Sequence, residues 1–289
     1  MDAHNIRNSF WNKKYHLDKI NINLIGYSRA AYRTGFYIPE FDIMLDAGPQ
    51  NFNHPSHIFI THGHGDHIAE LPLTLIGDEN GNKVHEIYGP SGSKRYVSTY
   101  INSMFNLNIL GNMSMKNVFN YTELSPSSTI DLNVKNSNIK ITIIECDHSV
   151  PTISYLFSIE KKKLKQEYLN LTNKEIVTLK KSGIDISHNI IQPLFAYICD
   201  CSIMTIQRYE KDLIIYPYVI VECTFLYDDE LDQANQTKHI HYQQLKPYIE
   251  KNKEIIWILI HFSLRYKDSE IIDFFKTINL PNIVPWTMI

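Results

Sequence analysis

Residues 57–67 read His57-Ile58-Phe59-Ile60-Thr61-His62-Gly63-His64-Gly65-Asp66-His67, an apolar run that stops at three closely spaced imidazoles and one carboxylate. The run predicts a short buried strand, and the polar cluster predicts a site at its end. Alternate residues beyond a strand end point the same way, so His62 and His64 can grip one cation while Asp66 and His67 turn toward a second. Neutral imidazole and carboxylate form the ligand set that zinc prefers, ahead of manganese or iron. At these offsets such a set arises by chance in only about one chain in a thousand.

Six residues cannot complete two metal shells, so distant chain must supply further ligands, best placed at other strand ends on the same edge. Three positions fit: His148 follows the run Ile139 to Asp147, Asp200 follows Leu194 to Cys199, and His261 follows Glu254 to Ile260. Further strand-like runs are INLIGY from Ile22, DIMLDAG from Asp42 and YVIVECTF from Tyr218. Between them lie stretches of helical spacing, after His67 and from Tyr242 to Lys251, where Tyr242, Leu245, Tyr248 and Ile249 share a face. This alternation predicts a layered α/β fold. No linker divides the chain, which predicts one domain over residues 1–289. The strand pattern lapses only at Glu160 to Lys181, where lysines cluster as they would in a protruding arm.

Composition limits the partners. The 289 residues are 44% hydrophobic and 20% charged, which excludes a disordered or low-complexity chain. Twenty-eight basic against 31 acidic side chains leave a net charge of −3, so any contact with nucleic acid must be local. Cys146, Cys199, Cys201 and Cys223 are too few and too irregular for a disulfide framework or a CxxC zinc pair, and are expected reduced and buried. The amino-terminal stretch MDAHNIRNSFWNKKYHLDK has no apolar core and no later stretch approaches a membrane span. A soluble cytoplasmic or nuclear protein without membrane association is the expectation.

Taken in order, HGHGDH (62–67), DHSVPTISYLF (147–157), YICDCS (197–202), VECTF (221–225), KHIH (238–241) and HFSLRY (261–266) resemble the metallo-β-lactamase superfamily. Within it they are similar to ribonuclease Z, the tRNA 3′-processing endonuclease, in its short form. The stretch from KKKLKQEYLNL (161–171) through GIDIS (183–187) and IIQP (190–193) is similar to the plant-type enzymes, and the likeness runs from about residue 20 to about 280. The resemblance implies a four-layered αββα sandwich with two zinc ions per subunit at its edge. His62, His64 and His148 would hold one ion and Asp66, His67 and His261 the other, with Asp200 bridging. Two departures stand out. Cys199 and Cys201 replace the usual glycine and threonine around the bridging aspartate, and LIGYSRAAYRTGF (24–36) matches the amino-terminal glycine-rich pattern only in part.

A dinuclear site of this kind suits in-line hydrolysis of a phosphodiester. Asp66 would ligate and also orient or deprotonate the attacking water. His239 lies 22 residues before His261 and resembles the family histidine that protonates the leaving oxygen, with Glu222 as its orienting carboxylate; His241 is the competing acid. Asp46 is expected either to accept a proton from a metal-bound histidine or to serve a turn. Arg265 and Tyr266 would contact phosphate or anchor their loop. Lys161, Lys162, Lys163 and Lys165, with Tyr168 nearby, make a local basic patch suited to folded RNA. The resemblance implies precursor tRNA as substrate, a tRNA 3′-hydroxyl as product and a homodimer. The alternative is another dinuclear hydrolase of the superfamily, such as a cyclic-nucleotide phosphodiesterase. A di-iron flavoprotein is disfavoured because His64 stands where those carry glutamate, and a silent RNA-binding subunit is disfavoured because the ligand set is complete.

Overall fold

A computed structural model describes residues 9–76, 83–109 and 118–289; residues 1–8 of the polar amino-terminal stretch thus lie outside the described part. Two seven-stranded mixed sheets face each other. The first runs in the order β1 (Lys14–Leu17), β2 (Ile22–Arg29), β3 (Arg33–Ile38), β4 (Ile43–Leu45), β5 (His57–Phe59), β6 (His85–Pro90), β7 (Phe119–Leu124). Its β1 to β4 pair antiparallel and β4 to β7 parallel. The second holds β8 (Thr129–Val134), β9 (Ser137–Cys146), β10 (Thr152–Leu164), β11 (Ser187–Ile198), β12 (Tyr218–Glu222), β13 (Ile256–Ile260) and β14 (Ile283–Pro285) in that order. There β8 to β11 are antiparallel and β11 to β14 parallel.

Helices cover both outer faces. On the first sheet lie α1 (Gly65–Ile68), α2 (Leu71–Ile76) and α3 (Lys94–Ile109), whose Leu71, Leu75, Val97 and Ile101 pack on Met44, Ile58 and Ile87. On the second lie α5 (Ile203–Leu213), α7 (Tyr242–Lys251) and α8 (Asp268–Ile278); α4 (Asn173–Lys181) and α6 (Leu231–Thr237) stand in the connections. The predicted face of α7 is real: Tyr242, Leu245 and Ile249 are buried and Tyr248 packs beside them. This is the αββα sandwich the motifs implied. The middle layer is apolar and aromatic, with Phe36, Phe59, Tyr155, Phe157, Phe195 and Trp286 buried between the sheets.

The seven runs singled out in the sequence all lie on strands, but fourteen strands occur among the described residues. Two of the others escape a search for apolar runs for plain reasons: in β8 only Val134 is buried, and β14 has three residues, none of them fully buried. The lysine segment also differs from expectation. The strand pattern does not lapse at Glu160, because β10 continues to Leu164, with Lys161 opposite Ile190 and Lys163 opposite His188. Strand β9 ends its pairing at Glu160, so the remainder is a two-stranded ribbon. Its ladder holds it extended although it carries charge instead of apolar residues. Helix α4 follows, closed by a capping box between Thr172 and Glu175.

This topology positions the site. Every parallel strand of the second sheet delivers its carboxyl end to one edge, where Asp200, Glu222 and His261 follow β11, end β12 and follow β13. Strands β4 and β5 deliver Asp46 and residues 61–67 likewise. Among the described residues no helix is long and apolar enough to cross a membrane.

Phe59 is fully buried, stacked on Tyr88 at 4.6 Å and edge-on to Tyr155 and Phe157, so it joins the two sheets. Phe59→Ala should lower unfolding free energy by about 3–5 kcal/mol, read as an earlier urea midpoint with an unchanged slope.

Candidate metal centre

Two clusters of ligand atoms meet at the sheet edge and share one carboxylate. His62, His64, His148 and Asp200 form the first; Asp66, His67, Asp200 and His261 form the second, the ligand atoms of each lying within 4.8 Å of one another. Asp200 Oδ2 is 3.7 Å from His62 Nε2 and 3.9 Å from His148 Nε2. Asp200 Oδ1 is 3.4 Å from His67 Nε2 and 3.2 Å from His261 Nε2. Asp66 Oδ2 lies 3.5 Å from His67 Nε2 and 3.4 Å from His261 Nε2. The seven residues singled out as ligands therefore converge from four separate chain segments.

The donor set fits a pair of divalent cations. His67 Nε2 is buried, faces both Asp66 and Asp200, and has no hydrogen-bond partner among the described residues. An unpaired buried imidazole nitrogen is costly unless something fills the gap. His62 Nε2 and His64 Nδ1 stand 3.0 Å apart, and His64 Nδ1 is 3.4 Å from His148 Nε2. Three imidazole nitrogens drawn toward one point is how a cation is held. Burial drives the pKa of His62 well down, and lowers those of His64 and His148, so these rings are neutral and their lone pairs free. At Asp66 burial is overcome by the neighbouring His261 and His67 imidazoles, and its carboxyl stays well below the usual range, hence ionised. At His67 burial is outweighed by Asp200, Cys199 and Asp46, whose negative character pulls its pKa well up, a measure of how strongly this pocket attracts positive charge.

The outer nitrogens of the rings are pinned. Asp46 Oδ2 takes His67 Nδ1 at 3.0 Å and accepts Tyr197 OH at 2.8 Å, while Oδ1 accepts the Thr61 amide at 2.8 Å. Asp46 is thus the acceptor for a ligand histidine and also a turn residue, held at φ 55°. His62 Nδ1 meets Thr61 Oγ1 at 3.0 Å, His261 Nδ1 meets Thr224 Oγ1 at 3.1 Å, and His148 Nδ1 meets the Lys238 carbonyl at 3.2 Å. Thr61 and Thr224 were not legible as orienting residues; their only signal is a hydroxyl residue at a strand end beside an ionisable one. The two cysteines fit differently. The Cys199 thiol donates to Asp200 Oδ1 at 3.3 Å, whereas at Cys201 it is the backbone amide that works, donating to Glu222 Oε1 at 2.7 Å. All four cysteines are buried and unpaired. The partly matched amino-terminal loop also contributes, through the Ala31 amide, which donates to Asp66 Oδ2 at 2.9 Å from a left-handed turn with φ 57°.

Beside the clusters stands a histidine–carboxylate pair. His239 Nδ1 lies 2.9 Å from Glu222 Oε1, and Glu222 is fully buried. The His239 ring stacks on His261 at 5.4 Å and meets His148 edge-on at 5.1 Å. Burial works against its charge, but the Glu222 carboxylate wins and its pKa is pushed up to about 9. His241 is placed otherwise: Nδ1 accepts the Gln243 amide at 3.1 Å, capping α7, and Nε2 meets the Tyr227 carbonyl at 2.9 Å. With both ring nitrogens engaged by backbone, His241 is a structural residue.

A cleft of about 650 Å³ opens over the centre, lined by His64, Asp66, Asp200, His239, His261 and Arg265 among others. Arg265 pairs with Glu230 at 2.9 Å and donates to Gln233 at 2.9 Å, half exposed at the rim. Tyr266 is buried and donates to the same Glu230, which makes it the loop anchor. Lys161, Lys162 and Lys163 are exposed on the ribbon, and Lys165 donates to the Asp185 carbonyl at 2.6 Å.

No family model matches the chain. The likeness to ribonuclease Z is borne out by whole-chain comparison. The chain is 28% identical over 255 residues to tRNase Z TRZ1 of Arabidopsis thaliana, covering 86% of this chain and 88% of that protein. It is 25% identical to a Ribonuclease Z of Clostridium perfringens over 235 residues, 74% of this chain and 73% of that one. Solved structures confirm the fold. The metallo-β-lactamase fold protein YhfI of Bacillus subtilis superposes with a TM-score of 0.58 at 13% identity, covering 90% of this chain and 93% of its own. Human short-form tRNase Z superposes at 0.51 and 17% identity, over 83% of this chain and 92% of its own.

Asp46→Asn keeps the size of the side chain but removes the carboxylate that holds His67. Affinity for divalent metal should fall by roughly 10–100-fold, measured by chelator competition, with the far-UV spectrum unchanged.

Proposed function

We propose that this chain is a zinc-dependent endoribonuclease that removes the 3′ trailer from precursor tRNA by hydrolysing one phosphodiester. The observation that carries this reading is the shared carboxylate of Asp200, one oxygen toward each ligand cluster, with the His239 ring of the His239–Glu222 pair stacked on His261 at 5.4 Å. The relatives that match most of the chain support an enzyme of this kind and an RNA substrate. Imidazole with carboxylate favours zinc over manganese or iron.

His62, His64 and His148 would hold one cation, and Asp66, His67 and His261 the other, with Asp200 between them. Bound there, a pair of divalent cations supplies Lewis-acid activation of the phosphodiester and of the attacking water. Asp66, ionised and fixed by the Ala31 amide, orients the water and takes its proton. His239 enters protonated and gives its Nε2 proton to the ribose 3′-oxygen as the phosphorus–oxygen bond breaks. The tRNA therefore leaves with a 3′-hydroxyl and the trailer with a 5′-phosphate. Glu222 fixes the orientation of His239 through Nδ1 and stabilises its charged form. Exposed Lys161, Lys162 and Lys163, with Lys165 at the ribbon's end, offer the phosphate-binding surface, and Arg265 offers a second cation at the cleft rim. We assign these five to substrate binding, with the chain acting as a homodimer in the cytoplasm or nucleus.

Incubation with a 3′-extended tRNA should release the trailer in one cut with a 3′-hydroxyl on the body, mapped to the nucleotide, and chelation should abolish the cut. Release from small esters with no cleavage of the tRNA would overturn the reading.

His239→Ala should lower the rate by about 10²–10⁴-fold, whereas His241→Ala should keep the rate and lose only stability. An acid with a raised pKa is active below that value and loses its proton above it, and bound cations can only draw the value down. The pH–rate profile should therefore fall on its alkaline side at or below about pH 9, and His239→Ala should remove that limb.

A further inference from the structure

A second hollow of about 490 Å³ meets the metal cleft at His64. Its walls are Gly63, Ile68, Tyr96, Tyr100, Val150 and Pro151 among others, so it is mostly apolar although it opens beside the most polar place in the molecule. Its two tyrosines differ. Tyr100 OH donates to the Ala69 carbonyl at 2.6 Å and is a fixed part of the wall. Tyr96, in the first turn of α3, is 72% exposed, and no aromatic ring among the described residues stacks on it.

The backbone beneath Tyr96 is held in place. Gly92 occupies φ 84°, which an L side chain adopts only with strain, and lets the chain turn tightly from β6 into α3. Ser93 Oγ donates to the Pro90 carbonyl at 2.5 Å and meets Tyr121 OH at 2.6 Å, and the Tyr96 amide returns to the Ser93 carbonyl at 3.0 Å. A rigid, exposed, unpaired aromatic face beside a phosphodiester-cleaving centre is the arrangement that receives a flat ring by stacking.

We propose that Tyr96 is the stacking platform for the nucleobase on the trailer side of the scissile phosphodiester, an inference that rests on the RNA-cleaving function proposed above. The side follows from the acid. His239 and Arg265 line the metal cleft and are absent from the hollow's lining. Because His239 protonates the 3′-oxygen of the retained strand, that strand lies on the His239 side of the phosphate. The hollow at His64 is left for the first nucleotide beyond the cut. Stacking reads the π-face that every base presents, so this subsite positions the trailer without choosing its sequence.

The test is a cycle of protein variant against substrate. Wild type, Tyr96→Ala and Tyr96→Phe are each given a 3′-extended tRNA with all bases present, one abasic at the first trailer nucleotide, and one abasic at the last retained nucleotide. On the complete substrate Tyr96→Ala should lose roughly fivefold to a hundredfold in kcat/KM, and Tyr96→Phe should lose little. Wild type should lose a similar factor on the trailer-abasic substrate, and Tyr96→Ala should then lose nothing further. Equal rates for wild type and Tyr96→Ala on the complete substrate overturn the platform while leaving the cleavage function standing. Additive losses with the trailer-abasic substrate, or coupling only with the retained-side abasic substrate, overturn the assignment to the trailer base. If wild type cuts none of the three, the function itself fails and the platform with it.

Discussion

Asp200 is a carboxylate with 2% of its surface exposed, and four imidazoles point nitrogens at its two oxygens from 3.2 to 3.9 Å. An ionised group so deep is tolerated only where positive charge or donors compensate it. His62 and His148 are kept uncharged by burial and do not supply that charge. A pair of divalent cations held by the two clusters would supply it. The rest of the architecture follows from having to bring both ligand groups to that residue. The two facing sheets must bring the carboxyl ends of their parallel strands to one edge of the sandwich.

Holding this arrangement strains the backbone. Ala31, Asp46, Lys238 and His261 all adopt positive φ without being glycine, at a typical cost of about 1–3 kcal/mol each. Their neighbours over-determine them. The His261 amide donates to Ser28 Oγ at 3.0 Å, the Asp46 amide to the Phe59 carbonyl at 2.8 Å, and the Ala31 amide to Asp66. Two of these contacts join the amino-terminal loop, one to the last parallel strands and one to the histidine cluster. The strain therefore fixes the two halves of the centre relative to each other before any ligand arrives.

Glu222 extends the same rigidity to the acid. Besides His239 it accepts the Cys201 amide next to Asp200, and Thr224 Oγ1 at 2.7 Å, whose oxygen also meets His261 Nδ1. One buried carboxylate thereby sets the position of His239, of the residue after the shared aspartate and, through Thr224, of His261. Cys199 takes part through its thiol, which donates to Asp200, and Cys201 through its amide, which donates to Glu222.

The strand ending at Thr61, the ligand residue types and their spacing were legible in the sequence, because metal chemistry restricts both the side chains and their offsets along one strand end. The distant ligands His148, Asp200 and His261 could be read as well, since each is an ionisable residue closing a run otherwise apolar. Only the tertiary structure decided that one oxygen of Asp200 serves each cluster, that His241 caps a helix while His239 faces the centre, that Thr61 and Thr224 orient rings, and that the lysine segment continues a strand. Most of those outcomes depend on contacts between distant residues or on which partner supplies the backbone ladder, and the local ones, Thr61 on His62 and His241 on the Gln243 amide, depend on side-chain orientation. Side-chain chemistry is carried by the residue itself and survives in one dimension; orientation and burial belong to neighbours that only folding brings together.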